Sequence, residues 1–284
     1  MAWSVDMGKE VPANRTESKA TTSAFFAMHP VFSLGEATSA LIPPGGRKAM
    51  VERLKHHLEK GRLMTVTRGI YAVVPPGTSL SEFRPDPFLV AVAVRADAVF
   101  SHHSALELLG AAHSVWNQVT LYTEKRRRPL HLAGQAIRYL EYPRAMTIPS
   151  KEAFGVRKIE RLGKMLRATG PERTLIDGFR RPALAGGLDE LVQSAAGYPV
   201  LDLELLEEVL RRYHIANLWA AAGWFLERFQ KAFYVPDGAL ARMERRRPHS
   251  PQYLERNVRG GWLASRWNLI LPNSLKTQGG VGEP

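Results

Sequence analysis

The chain has 284 residues, 45% of them hydrophobic, which suits two packed domains rather than a disordered polymer. Its 39 Lys and Arg against 27 Asp and Glu give a formal charge of +12 and a pI near 10.1, a balance that favours a polyanionic partner. The absence of cysteine excludes disulfides, cysteine-ligated zinc and thiol catalysis. The basic excess is spread along the chain, with 10 basic and 6 acidic residues in 1–80 and 29 and 21 in 81–284. Residues 1–23 are polar and lack an apolar signal core, and no run approaches the length of a membrane span. The sequence therefore predicts a flexible tail over 1–23 of a cytoplasmic protein, with no membrane partner.

Residues 30–74 carry the densest signal and read as a helix-turn-helix followed by a β-hairpin wing. Ser33 and Glu36 form a capping box, with Phe32 just outside it as a staple, and Leu34, Ala37 and Leu41 recur at helical spacing. Pro43 and Pro44 stop that helix near Ile42, and Gly45 and Gly46 supply the turn. A second helix is expected from Arg47 to Lys60, burying Met50, Val51, Leu54 and Leu58 on one stripe. Its other side carries Lys48, Ala49, Glu52, Arg53, Lys55 and His56. Residues near the start of a recognition helix meet base edges, so Lys48, Glu52 and Arg53 are the base-contact candidates. Arg can bridge guanine O6 and N7, and Glu can accept from a cytosine amino group. The bland alternative is a solvated face balanced by ion pairs.

Gly61 ends the second helix as a left-handed residue would. Leu63–Thr67 alternates as a strand, Thr67-Arg68-Gly69 forms the tip with Gly69 at positive φ, and Ile70–Val74 returns. Arg62 and Arg68 are thereby placed to touch phosphate. A small hairpin capping a helical core would look the same without DNA.

Pro75-Pro76-Gly77 through Pro85-Asp86-Pro87 reads as a linker, separating a DNA-binding domain over 24–80 from a larger mixed α/β domain over 81–284. The fold class expected is α+β, an N-terminal winged helix-turn-helix followed by that larger domain. In the second part, Ser101 or Ser104 is expected to cap a short helix ended by Gly110. Val115–Thr123 and Ile137–Tyr142 read as strands, separated by the basic run Lys125-Arg126-Arg127-Arg128. Gly170-Pro171 opens a helix with Pro at its first position, Leu201–Tyr213 and Ala216–Phe233 have helical periods, and Trp262–Pro272 reads as a strand pair. No internal repeat or low-complexity tract occurs.

The winged segment, Arg68-Gly69-Ile70-Tyr71, Asp86-Pro87-Phe88, Ser101-His102-His103-Ser104-Ala105-Leu106, Pro171-Glu172-Arg173-Thr174-Leu175-Ile176-Asp177 and Ala185-Gly186-Gly187-Leu188 follow one another in an order that resembles the AbiEi-type antitoxins of type IV toxin–antitoxin systems. The resemblance covers nearly the whole chain after the tail. It implies a winged domain that represses its own operon by binding double-stranded DNA at inverted repeats, and a C-terminal domain tied to antitoxin activity. It also implies a functional partner, a toxin of the nucleotidyltransferase class. The family's helix at Pro171 usually has Ser or Thr immediately ahead; here Gly170 intervenes after Thr169.

Other residues invite chemistry less strongly. Adjacent histidines 102 and 103 diverge on any regular backbone and rarely share a metal, so a packed structural role is favoured. Arg173 and Asp177, four apart, fit a structural helix pair. Lys125, Arg126, Arg127 and Arg128 are a secondary phosphate or partner contact, with a solvated loop as the default. Arg242, Arg245, Arg246 and Arg247 form a second basic cluster, and Tyr253, Trp262 and Trp267 interleave with Arg256, Arg259 and Arg266, which suits either base stacking or buried strand aromatics. No P-loop, Gly-rich dinucleotide turn, nucleophile elbow or HExxH occurs, so no catalytic residue, metal or cofactor is assigned. A nuclease-like alternative has only Asp177, Asp189, Glu190 and the two histidines to draw on, and a pure protein-interaction module is the third reading.

Overall fold

The computed structural model describes residues 21–125, 127–147, 154–255 and 260–276. The chain divides into two compact units between Ser81 and Glu82. The fold is mixed α+β, and among the described residues no helix is long and apolar enough to cross a membrane.

The first unit runs α1 (Thr22–Met28), β1 (Val31–Ser33), α2 (Leu34–Leu41), α3 (Gly46–Glu59), β2 (Leu63–Thr67) and β3 (Ile70–Val73). Thr21 caps α1 by accepting from the Ala24 N–H at 3.2 Å, so residues 21–23, expected in the tail, belong to the folded unit. The rest of the expected tail lies outside the described residues. Both halves of the capping box form: the Ser33 N–H donates to Glu36 at 2.8 Å, and the Glu36 N–H donates to Ser33 Oγ at 3.1 Å. Phe32 does more than staple the cap. It lies in β1, opposite Tyr71 of β3, with its ring 5.1 Å from that of Phe25 and 5.6 Å from that of Phe26. A three-residue strand carries no period to read, which is why β1 was not expected. The sheet order is β1-β3-β2, with both pairings antiparallel and a bulge between Thr65 and Thr67.

Helix α2 stops at Leu41, where Ile42 takes a left-handed conformation (φ 39°) ahead of the two prolines. A β-branched residue there is strained. Helix α3 ends in a Schellman turn on Gly61 (φ 66°): the Gly61 N–H donates to Leu58 O and the Arg62 N–H to His57 O. Met50 and Leu54 are fully buried with Phe25, Phe32, Leu34, Ala37, Leu41 and Leu63. Val51, expected on that stripe, is instead 39% exposed. It lies about 100° past Met50, whereas His57 lies about 20° from Met50 and takes the place at the core. The His57 ring meets Phe26 edge-on at 5.0 Å, and burial, followed by the charge of Arg62, holds its pKa below the ordinary histidine value.

The second unit begins with α4 (Pro87–Val94), β4 (Val99–Phe100), α5 (His103–Leu108), β5 (Gln118–Thr123), β6 (Leu130–Leu132) and β7 (Gln135–Glu141). It continues with β8 (Val156–Arg161), β9 (Lys164–Thr169), α6 (Pro171–Arg180), α7 (Leu188–Ala196), α8 (Leu203–Tyr213), α9 (Ala216–Arg228) and α10 (Asp237–Glu244). Short strands β10 (Gln252–Tyr253), β11 (Trp262–Ala264) and β12 (Leu269–Leu271) close it, with β11 and β12 forming the expected pair. Asp86 and Pro87, read as linker, start α4 instead: the Asp86 carboxylate accepts from the Leu89 N–H at 2.9 Å. The expected strand at Val115 starts only at Gln118, leaving Val115 exposed.

Six strands form one mixed sheet in the order β6-β7-β5-β4-β9-β8, in which β5 runs parallel to β7 and β4 to β9. The helices α6 to α10 enclose a second core around Ile176, Phe179, Leu206, Leu210, Trp219 and Phe225. Gly223 of α9 lies against the Trp267 indole, and a Cβ there would sit 2.1 Å from its ring. At the start of α6, Gly170 offers no side-chain cap. A hydroxyl pair, Thr169 with Thr174 at 2.7 Å, lies there instead, and the Thr174 hydroxyl reaches Thr169 O at 3.0 Å.

Candidate nucleic-acid interface

Helix α3 presents its polar side to solvent because its apolar positions are spent on one narrow stripe. With that stripe centred on Met50 and Leu54, the wheel places Lys48, Glu52 and Lys55 opposite the core, with His56 beside them and Arg53 on one flank. Arg47, Lys48, Glu52, Arg53, Lys55 and His56 are all exposed. Lys48 and Glu52 stand four apart, a spacing that can pair, yet none of these six side chains makes an ion pair among the described residues. The reading of a face balanced by ion pairs therefore does not describe this helix. Exposed Val51 adds an apolar side chain on the opposite flank from Arg53. Arg68 stands exposed at the hairpin tip beside Gly69 (φ 76°), and Arg62 stands exposed at its base. About 20 Å of strand separates those two arginines, so they cannot share a phosphate.

The second basic run lies between β5 and β6. Lys125, Arg127 and Arg128 are exposed, and Arg126 falls outside the described residues. The Arg127 guanidinium covers the Tyr139 ring at 5.9 Å. The Arg242–Arg247 cluster is different, because much of its charge is already neutralised. Arg242 pairs with Glu207 at 2.7 Å, Arg247 with Glu244 at 2.9 Å, and Arg266 with Glu227 at 2.6 Å and Glu244 at 3.0 Å. Arg246 lies over Trp219 at 4.6 Å. Trp267, offered by the sequence as a stacking platform, is buried, with its indole N–H donating to Glu227 at 2.6 Å. The stacking reading fails there because the ring is core; Arg256 and Arg259 lie outside the described residues.

The histidine pair and two of the carboxylates, Asp177 and Glu190, are also internal. His102, not a serine, stands at the start of α5 with φ 54°; Ser101 Oγ lies 3.0 Å from His102 Nδ1, and Ser104 Oγ accepts from the Thr120 N–H at 2.8 Å. The expected serine cap is thus replaced by contacts to the neighbouring ring and strand. Burial, then Arg181, Arg180, Arg173 and Arg138 in turn, push His102 down to about 3, so it is neutral. His103 lies 3.4 Å from Glu190, with its ring 5.5 Å from that of Trp116. Arg173 and Asp177 form a fully buried pair at 3.5 Å, and the Tyr213 hydroxyl donates to Asp177. Burial raises the Asp177 carboxyl against the pull of Arg173 and Tyr213. Glu190 accepts from the His113 and Ser114 N–H groups and from Ser194, while Asp189 accepts from Ser274 at 2.8 Å. Of the pool named for a nuclease, His103 lies beside Glu190, while Asp177, Asp189 and His102 are each held by other partners. Among the described residues, no group of three His, Asp or Glu could hold a metal ion.

Sequence reading missed Val51, whose wheel angle was the available signal. It also missed the concentration of cations at one end of the large sheet, which only tertiary pairing reveals. No protein-family model and no curated protein matches this chain. The fold is similar to that in the crystal structure of the RV2827C protein from Mycobacterium tuberculosis, with a TM-score of 0.58 and 18% identity, covering 87% of this chain and 88% of that one. At that identity the likeness is one of fold.

Proposed function

We propose that the chain is a sequence-specific DNA-binding repressor of its own operon and the antitoxin of a type IV toxin–antitoxin pair. The observation that carries the DNA-binding part is the α3 face: six exposed polar side chains, four of them Lys or Arg, with no intramolecular ion pair among the described residues. Cations left unneutralised on a helix that projects from a small core are what a duplex backbone requires. In this reading the first unit is a winged helix-turn-helix, with α2 and α3 as the helix pair and β2–β3 as the wing.

Helix α3 enters the major groove. Lys48, Glu52 and Arg53 meet base edges, Lys55 meets a flanking phosphate, and His56 tunes the choice of sequence. Arg68 holds the backbone beyond the groove, and Arg62 a phosphate nearer the helix. One such module reads too few base pairs for operon-level selectivity, so two copies act on an inverted repeat. The antitoxin role rests on the order of motifs shared with the AbiEi-type antitoxins, and the partner it implies is a nucleotidyltransferase-class toxin.

The test is a salt-titrated gel shift using DNA from immediately upstream of the coding sequence against a scrambled duplex. Preferential binding that weakens steeply with salt is the expected result. Equal binding to both duplexes would reject sequence-specific repression.

A further inference from the structure

At the β6 end of the six-stranded sheet lies a groove of about 470 Å³, within the range of about 300–1,000 Å³ that small-molecule sites enclose. Its construction follows from the strand register. Ala136 of β7 pairs with Gln118 of β5 on one side and His131 of β6 on the other. Paired residues share a face of the pleat, so a methyl group lies between two long polar side chains and leaves a hollow. Arg138, two residues along β7, shares that face, while Arg127 and Arg181 complete the rim.

Arg127, Arg138 and His131 make no ion pair among the described residues, whereas the helical part of the same unit pairs Arg211, Arg212, Arg242, Arg247 and Arg266 with carboxylates. Among the described residues, Glu141, at the end of β7, is the one carboxylate on the lining. The Gln118 amide donates to Thr120 at 3.3 Å, and Arg127 lies over the ring of Tyr139, which the pleat turns to the other face of β7 from Arg138. The positive field reaches inward as well, since Arg181 and Arg138 are both among the charges that depress buried His102.

Two guanidiniums and an imidazole lining one groove match the oxygens of a phosphate group. We infer that this groove binds a small phosphorylated molecule of mononucleotide size, its phosphates held by Arg127, Arg138 and His131 and its remaining polar edge met by Gln118. The site lies in the second unit and stands or falls independently of DNA binding by α3.

The experiment is calorimetric titration of the full-length protein with ADP and, separately, inorganic pyrophosphate. Wild-type protein is expected to bind ADP saturably at one site per chain. Arg138→Ala and Gln118→Ala are expected to weaken it, the first by about tenfold or more. Arg245→Ala removes an exposed arginine elsewhere on the unit and is expected to bind as wild type. Both groove positions lie outside the buried core, and thermal melts that superimpose on wild type would confirm that each variant folds. Pyrophosphate binding that is also lost in Arg138→Ala would locate the phosphate subsite there. Three results would overturn the inference: no saturable binding, equal loss in Arg245→Ala, or weaker duplex binding by Arg138→Ala without any ADP binding. The last would give the groove to a DNA backbone.

Discussion

Removing both hairpin arginines, Arg62→Ala with Arg68→Ala, is expected to change how DNA binding responds to salt more than which DNA is bound. The proposed interface has six exposed cations, Arg47, Lys48, Arg53, Lys55, Arg62 and Arg68, with Lys48 and Arg53 counted because a charge at a base edge still lies within a Debye length of the flanking phosphates. Each neutralised phosphate contributes about 0.9 to the slope of log affinity against log salt, so one copy with all six engaged has a slope of about −5. Between 50 and 200 mM salt that is a loss of about a thousandfold. Without the two arginines the slope falls to about −3.6, and the loss over the same range to about a hundredfold. Fluorescence anisotropy with a labelled upstream duplex and a scrambled one, at five salt concentrations, reads both slopes. The preference between duplexes is expected to persist, because neither arginine belongs to the α3 face. An unchanged slope would mean that the hairpin does not lie on phosphate, and it would refute the wing assignment.

Glu52→Gln exchanges an acceptor for a donor-acceptor and is expected to alter preference at one base pair by about 1–3 kcal/mol, measured by selection from a random duplex pool; an unaltered consensus would remove Glu52 from base contact. Gly223→Ala forces a methyl group into the Trp267 ring and is expected to cost the second unit about 1–3 kcal/mol or more, seen as a lower melting temperature with DNA binding retained at low temperature. Phe32→Ala empties the centre of the first unit, at about 3–5 kcal/mol, and should abolish DNA binding through unfolding, which circular dichroism would detect.

His102 is held at about 3, below its unfolded value of 6.5, so the unfolded chain takes up the proton first. Stability is present in full above pH 6.5 and is lost as pH falls toward 3, amounting to about 2 kcal/mol by pH 5. The charges around it are arginines, which do not titrate there. Denaturant melts of wild type and His102→Gln at pH 7 and 5 should show the variant losing less stability over that interval.

The parts of the first unit legible in the sequence were those fixed by local geometry. The Ser33–Glu36 box, the double proline at 43–44, and Gly61 and Gly69 each constrain a few neighbouring bonds, and each lies where expected. The stripe on α3 was legible to within one residue: Val51 and His57 compete for its edge, and polarity alone favoured the wrong one. Strand β1 and the β8–β9 hairpin were not legible, the first being too short and the second too polar, with Arg157, Lys158 and Glu160 all exposed along an edge strand and breaking the period of two. Arg242 looked like free charge because its neutralising partner Glu207 is 35 residues away. Conversely, the groove around Ala136 depends on parallel pairing of β5 with β7, a register that no short-range pattern encodes.

The Schellman turn at Gly61 has a mechanical meaning. Two backbone bonds lock the exit of α3 into the start of β2, and at the far end of the hairpin the Leu34 N–H holds the Gly69 carbonyl at 2.8 Å. The hairpin is thus clamped at base and tip, and it behaves as a ruler bolted to the helix rather than as an arm that gropes for its target. Its ordering entropy is spent during folding, not on contact with a partner. If α3 reads a groove as proposed, the distance from it to the backbone under Arg68 is a property of the protein, and the duplex does whatever bending the fit requires.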